Sequence, residues 1–319
     1  MREVADNILY IPETPTEIFP FMTGNVYVLV DPKTHHFGFI DSGFTDPFAE
    51  LVKNEIRSAG LNIQDLDWIV HTHSHSDHWG NDSYFRQIAP NVRIGFHNSA
   101  EEFVRDPQVW LRGFEVLTPR DLQYVDSFSQ ALKSIKPVLI DFHLGEGSDL
   151  SIGDINLAVM HVPGHERDCL AFYASSLGIL VSGSYLRDAR ATWTYSVQGG
   201  GVSAVKRTFE RLAKLKFQVA LPNHGEPLLS QAEIEESFKR IHADLDVRTR
   251  AILDALQKGP MDFPSLLEKV PAVPKLHPWY MERIVYAHLT DLCESGAVER
   301  VGNKWATRPT SSGSPSVGL

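Results

Sequence analysis

The sequence predicts an α/β layered chain that ends in a separate helical unit, and three observations carry this reading. Short apolar strands open the chain and alternate with a helical segment. Three later apolar runs each end in a polar residue on a turn. After Ser230 the apolar spacing becomes helical.

Between Asn7 and Asp41 the runs ILYI, NVYVLV and FGFI read as strands, with DPKTHHFG supplying a turn between the last two. From Pro47 to Gly60, Phe48, Leu51, Val52 and Ile56 stand at helical spacing, and Gly60 marks a stop. The strand WIV, Trp68 to Val70, then runs directly into a histidine cluster. The stretch from Asn91 to Pro137 mixes helical and loop signals and reads as an insertion near the site mouth. INLAVMHVPGH ends at His165, LGILVSGS at Ser184, and FQVALPNHG carries His224. Functional side chains of open α/β sheets gather outside strand ends, so these turns are expected to converge on the cluster.

Residues 1–230 are therefore expected to form one catalytic domain and 231–307 a second unit. In the latter, QAEIEESFKRIHADLDVRTRAILDALQKG, PSLLEKV and MERIVYAHLTDLCESG read as helices, and AVERVGNKWAT as a hairpin turning at Gly302 and Asn303. Helices followed by a small wing suggest a winged-helix-like domain. The tail 308–319, rich in Ser, Gly and Pro, has nothing to bury and is expected to be disordered.

Composition excludes several classes. At 319 residues the chain is long enough for about two domains. A formal net charge of -10 disfavours a broad polyanion-binding surface. Residues 246–307 hold eight Lys plus Arg against eight Asp plus Glu, so the wing is no basic footprint and nucleic acid is not the expected partner. Packing or homodimer formation is the expected role. The two cysteines, Cys169 and Cys293, suggest neither a disulfide framework nor a thiolate metal site, and a reducing cytoplasm fits best. The start MREVADNILYIPETP lacks the basic and apolar stretches of a signal peptide, and no run approaches about 20 apolar residues, so secretion and membrane spanning are not expected.

The chemistry concentrates at His73, His75, Asp77 and His78. On extended backbone the first three share a face, while His78 reaches a neighbouring point only by turning back, so two metal positions are natural. Imidazoles and a carboxylate suit zinc, with iron and manganese as alternatives. Desolvating so many histidines without a cation would be costly.

These residues resemble the metallo-β-lactamase superfamily, whose motif HxHxDH stands here as His73, His75, Asp77 and His78. The resemblance spans roughly residues 7 to 230 and includes, in the family's order, the IDSG turn (Ile40 to Gly43), the PGH turn with His165 and the NHG turn with His224. It implies an αββα sandwich, one metal held by His73, His75 and His165, and a second held by Asp77, His78 and His224. One departure stands out. Many members place a bridging Asp after the glycine of the next strand turn, and here Ser184 follows Gly183, with Asp188 offset by four residues. The third subclass of metallo-β-lactamases is similar in having serine there and an Asp, His, His second site. Ser184 is thus a candidate second-site or water contact, and two zinc ions per chain remain the expectation.

Zinc lowers the pKa of a bound water from about 15.7 to about 7, which makes a hydroxide nucleophile for a small acyl substrate: thioester, lactone, ester or amide. Asp77 is the catalytic candidate, orienting the water or passing its proton to the leaving group. Asp41 is a candidate support for the ligands by hydrogen bonding. His71 is either such a support or simply packed. Trp79, Tyr185, Trp193 and Tyr195 flank ligand turns as pocket candidates, although aromatics there are more often core. His35, His36, His97, His143, His161, His242, His277 and His288 lack ligand context. Three other readings share the motifs: an RNA or phosphodiester hydrolase, a non-catalytic ligand-binding protein with a degraded site, and an iron-based oxidoreductase. Fold alone does not choose among them.

Overall fold

The computed structural model describes residues 1–16, 22–111, 117–186, 201–272 and 278–308. Asp188, Trp193, Tyr195, His277 and the tail from 309 onward lie outside the described residues.

Strands β1 (Arg2–Ala5), β2 (Ile8–Ile11), β3 (Val26–Val30), β4 (Phe37–Ile40), β5 (Leu66–Val70), β6 (Arg93–His97) and β7 (Phe142–Leu144) form one sheet in that order. Helices α1 (Asp46–Ser58), α2 (Ser76–Trp79), α3 (Asp82–Ile88), α4 (Glu101–Arg105) and α5 (Pro119–Ser134) belong to the connections of its parallel half. A second sheet runs β12-β11-β10-β9-β8, built from β8 (Asp149–Ile152), β9 (Ile155–His161), β10 (Leu170–Ala174), β11 (Ile179–Gly183) and β12 (Val219–Pro222). Helix α6 (Val202–Leu212) connects its last two strands.

Alternation along the strands builds the layers, because successive side chains of extended backbone point to opposite faces. In β3, Val26 and Val28 pack with α1 residues Phe48 and Val52, whereas Tyr27 and Leu29 pack with Val159, Phe172 and Val181 of the second sheet. On that sheet Ala171, Leu180 and Ala220 turn the other way, onto Val205 and Phe209 of α6. The result is helix, sheet, sheet, helix: the αββα sandwich expected from the sequence.

The stretch after Asn91 needs a correction. Its first part, Arg93–His97, is the buried strand β6, whose short apolar core IGF is too brief to signal a strand against mixed surroundings. The remainder lies between β6 and β7, and its Trp110 packs against His75 with ring centroids 5.4 Å apart.

Helix α7 (Gln231–Leu256) is capped by Ser230, whose hydroxyl accepts the Glu233 N–H. Ile234, Ile241 and Leu245 in its first half pack on the outer face of the second sheet, and Ile252 and Leu256 join a further core. That core includes α8 (Phe263–Leu267), α9 (Pro278–Glu294) and a small sheet of order β13-β15-β14. Its strands are β13 (Met261–Asp262), β14 (Val298–Val301) and β15 (Lys304–Thr307). Val301 pairs with Lys304, so Gly302 and Asn303 make the hairpin turn as expected. The start of α9 reaches back: Trp279 stacks on Tyr124 of α5 at 5.2 Å, and Glu282 meets Arg120 at 3.0 Å. Among the described residues no helix is long and apolar enough to cross a membrane.

Candidate metal centre

The IDSG turn, the histidine cluster and the turns carrying His165, Ser184 and His224 follow the ends of β4, β5, β9, β11 and β12. Two groups form there, His73 with His75 and His165, and Asp77 with His78 and His224; within each, the candidate ligand atoms lie within 4.8 Å of one another. The His73 and His78 ring centroids are 4.4 Å apart, so the groups adjoin.

The local backbone differs from an extended run. His75 caps the short helix α2, which carries Asp77 and His78 on a helical turn. The helix turns Asp77 away from His73 and His75 and onto the other group, where its Oδ2 lies 3.1 Å from His224 Nε2 and 3.5 Å from His78 Nε2. Period two describes the cluster only as far as His75.

In the first group His165 Nε2 lies 3.2 Å from His73 Nε2 and 3.1 Å from His75 Nδ1. Zinc bound at about 2.0–2.1 Å to each of three tetrahedral nitrogens would set them about 3.3 Å apart. The donor set therefore fits a zinc-sized cation without rearrangement. Burial, reinforced by the neighbouring imidazoles, holds the His73 pKa well below the usual histidine value, and burial lowers that of His75 to about 4. Both rings are neutral at pH 7, the form that ligates a metal. For Asp77 burial works against ionisation, but His78 and His224 outweigh it and hold the carboxyl well below the usual carboxylate range.

A shell of polar groups orients these rings. Asp41, in the left-handed region at φ 61°, accepts the Thr72 N–H at 2.8 Å and the Thr72 hydroxyl at 2.9 Å, and its Oδ2 lies 3.1 Å from His78 Nδ1. His71 is fully buried, 2.9 Å from Asp82 and stacked on Phe96, so it belongs to the scaffold beneath the cluster. Ser184 joins neither group; its Oγ accepts the Asn223 amide N–H at 3.2 Å. Trp79 and Tyr185 are core, the first donating to Ser74 O at 2.9 Å and the second to Val162 O at 2.8 Å.

Sequence reasoning missed Glu13, Asn25, Glu166, Asp168, Asn223 and Trp110. Glu166 Oε1 lies 2.9 Å from His75 Nε2, Asp168 accepts the Ser74 N–H at 2.9 Å, and Glu13 Oε2 lies 2.5 Å from His224 Nδ1. Asn25 donates to the carbonyls of Pro222 and Gly225 at 2.9 and 2.8 Å, fastening the turn that carries His224. The polar triplet Glu-Arg-Asp directly after the PGH turn was the one local signal available. No other group of three or more His, Cys, Asp or Glu with metal-binding spacing occurs among the described residues.

A family profile described as "Metallo-beta-lactamase superfamily" matches residues 20–224, more than half of the chain. The chain belongs to this superfamily. A probable metallo-hydrolase YqjP of Bacillus subtilis is 25% identical to it over 274 residues, 78% of this chain and 84% of that protein. The human acyl-coenzyme A thioesterase MBLAC2 is 30% identical over 162 residues; the match spans 49% of this chain and 54% of the relative, about half of each. A crystal structure of a metallo-beta-lactamase family protein from Thermus thermophilus superposes with a TM-score of 0.76 at 24% identity, covering 96% of this chain and all of the other. A beta-lactamase domain protein from Burkholderia ambifaria gives 0.77 at 19% identity, covering 96% and 94%. Since both cover nearly the whole chain, the layout after residue 230 recurs with the sandwich. This superfamily member is a hydrolase by its kinship and carries two candidate divalent-metal positions.

Proposed function

We propose that the protein hydrolyses small acyl substrates, thioesters foremost, with two zinc ions held by His73, His75 and His165 and by Asp77, His78 and His224. The observation that carries this reading is the side-by-side placement of the two groups, His73 against His78 at 4.4 Å. A divalent metal there supplies Lewis acidity and a lowered water pKa, from about 15.7 to about 7. Iron or manganese would satisfy the same donors less characteristically.

The chain's own residues supply the rest. Asp77 is the most open of the six, its side chain 21% exposed, and its ionised carboxylate lies against His224 and His78. It is placed to orient a water and to carry its proton to a departing thiolate, alkoxide or amine. Asp41 and Glu13 lie behind His78 and His224, which keeps these two rings of the second group in place. Asn223 donates to the Ser184 hydroxyl at 3.2 Å and lies 3.3 Å from His78 Nε2, two neutral polar groups beside the second group. The human relative, an acyl-coenzyme A thioesterase, supports the acyl reading and puts thioesters ahead of lactones, esters and amides.

We read residues 231–307 as a winged-helix-like module with a packing role, supported by the helix and hairpin order, the balanced charge and the burial of Trp279 and Tyr280 against the first helical layer. The free thiols Cys169 and Cys293 support placing the protein in a reducing cytoplasm. The test is turnover of the zinc-loaded protein on short acyl-coenzyme A thioesters, lactones, β-lactams and a bis-aryl phosphodiester. Thioester hydrolysis that Asp77→Ala abolishes supports the reading; turnover confined to the phosphodiester overturns it.

A further inference from the structure

The two ligand groups differ in charge. One contains Asp77, whereas His73, His75 and His165 bring no anion of their own. Behind this neutral trio lie two almost fully buried carboxyl groups, Glu166 at 2% and Asp168 at 1% exposure. Burying a carboxyl is costly unless its oxygens are engaged, and packing alone would be served by an apolar side chain. Glu166 engages a candidate ligand directly, with Oε1 2.9 Å from His75 Nε2. Its backbone is pinned too, the N–H donating to Cys169 Sγ at 3.3 Å. Asp168 holds the chain between His73 and His75 through the Ser74 N–H.

His75 differs from its companions in the nitrogen it presents. His73 and His165 meet through Nε2, whereas His75 turns Nδ1 toward His165. For that lone pair to face a metal, the proton must sit on Nε2, and a buried N–H needs an acceptor. The group within reach is the Glu166 carboxyl. Behind His73 the corresponding partner is the Thr72 hydroxyl, 3.1 Å from Nδ1. Arg167, the next residue, pairs with Glu102 and lies over Phe103, so it leaves Glu166 Oε1 to His75.

We propose that Glu166 is a positioning residue: it accepts the His75 Nε2–H, fixes the tautomer and ring angle that present Nδ1, and thereby sets how tightly the three-histidine group holds its metal. This rests on the reading that the group binds a divalent metal. The test is cobalt(II) titration of metal-free full-length protein, followed by visible absorption and by chelator competition, for wild type, Glu166→Ala and Glu166→Gln. Removing a partner of a ligating histidine typically costs about 10–100-fold in metal affinity, and Glu166→Ala is expected to lose that much at one of two sites with a changed cobalt spectrum. Glu166→Gln keeps an acceptor oxygen and is expected to restore most of the affinity and the wild-type spectrum. A folded Glu166→Ala protein with unchanged affinity and spectrum, or a Gln variant as weak as Ala, overturns the proposal. Failure of wild type itself to bind cobalt would instead sink the metal reading beneath it.

Discussion

Glu13 and His224 are separated by 211 residues in sequence, and their side chains meet at 2.5 Å. The same carboxylate accepts the Gly225 N–H at 2.8 Å, so Glu13, just after β2, grips both the ring and the backbone of the NHG turn. Glu13→Ala is expected to weaken one metal site by about 10–100-fold and leave the other intact, because the contact is confined to the Asp77, His78, His224 group. Equilibrium dialysis against buffered zinc, read as metal per chain, checks this.

Gly24 approaches the same group from another side. Its φ is 71°, and a Cβ there would sit 2.5 Å from the Asp77 carbonyl oxygen and 3.0 Å from His78 Nδ1. Gly24→Ala is therefore expected to displace helix α2 and cost about 1–3 kcal/mol. Thermal melting of the metal-free protein, beside metal content of the loaded one, would show both effects together.

The fold and the six candidate ligands were legible because each depends on local pattern. Strands ending in PGH and NHG, the alternating histidines, and helical spacing after Ser230 all declare themselves within about ten residues. The supporting contacts were not, since Glu13, Asn25 and Trp110 act through partners that only the folded chain brings near. The helical turn at Asp77 was hidden for a related reason. Four residues are too few for a periodic signal, and the alternating histidines beside them mimic a strand. Strand β6 was obscured by the mixed stretch around it.

Acid should destabilise the protein through His288, which is 1% exposed on α9 and bonded to Thr249 at 2.9 Å. Burial, followed by the charges of Arg248 and Lys206, lowers its pKa to about 3. The unfolded chain takes up this proton near pH 6.5 and the folded chain only near pH 3, so stability falls as pH drops through that window. The slope from one such group is at most about 1.4 kcal/mol per pH unit. Denaturant unfolding at pH 7 and pH 5 should show a larger loss for wild type than for His288→Gln; equal losses would remove His288 from the explanation.

The last unit should be inseparable in stability from the sandwich. Trp279 is 2% exposed and stacks on Tyr124, and Tyr280 joins the same core as Phe128 and Trp110. Trp279→Ala is expected to cost about 3–5 kcal/mol. A single cooperative melt shifted to lower temperature is the predicted trace, whereas an unchanged sandwich transition beside a weakened second one would show the units to be independent.

The most direct measurement is zinc per chain of the purified full-length protein, taken with thioester turnover for wild type and Asp77→Ala. Two zinc ions with turnover in wild type, and a loss of both the second ion and the activity in the variant, is the predicted result. Wild-type protein saturated with zinc that turns over no acyl substrate, or an Asp77→Ala protein that keeps two ions and full activity, would contradict it.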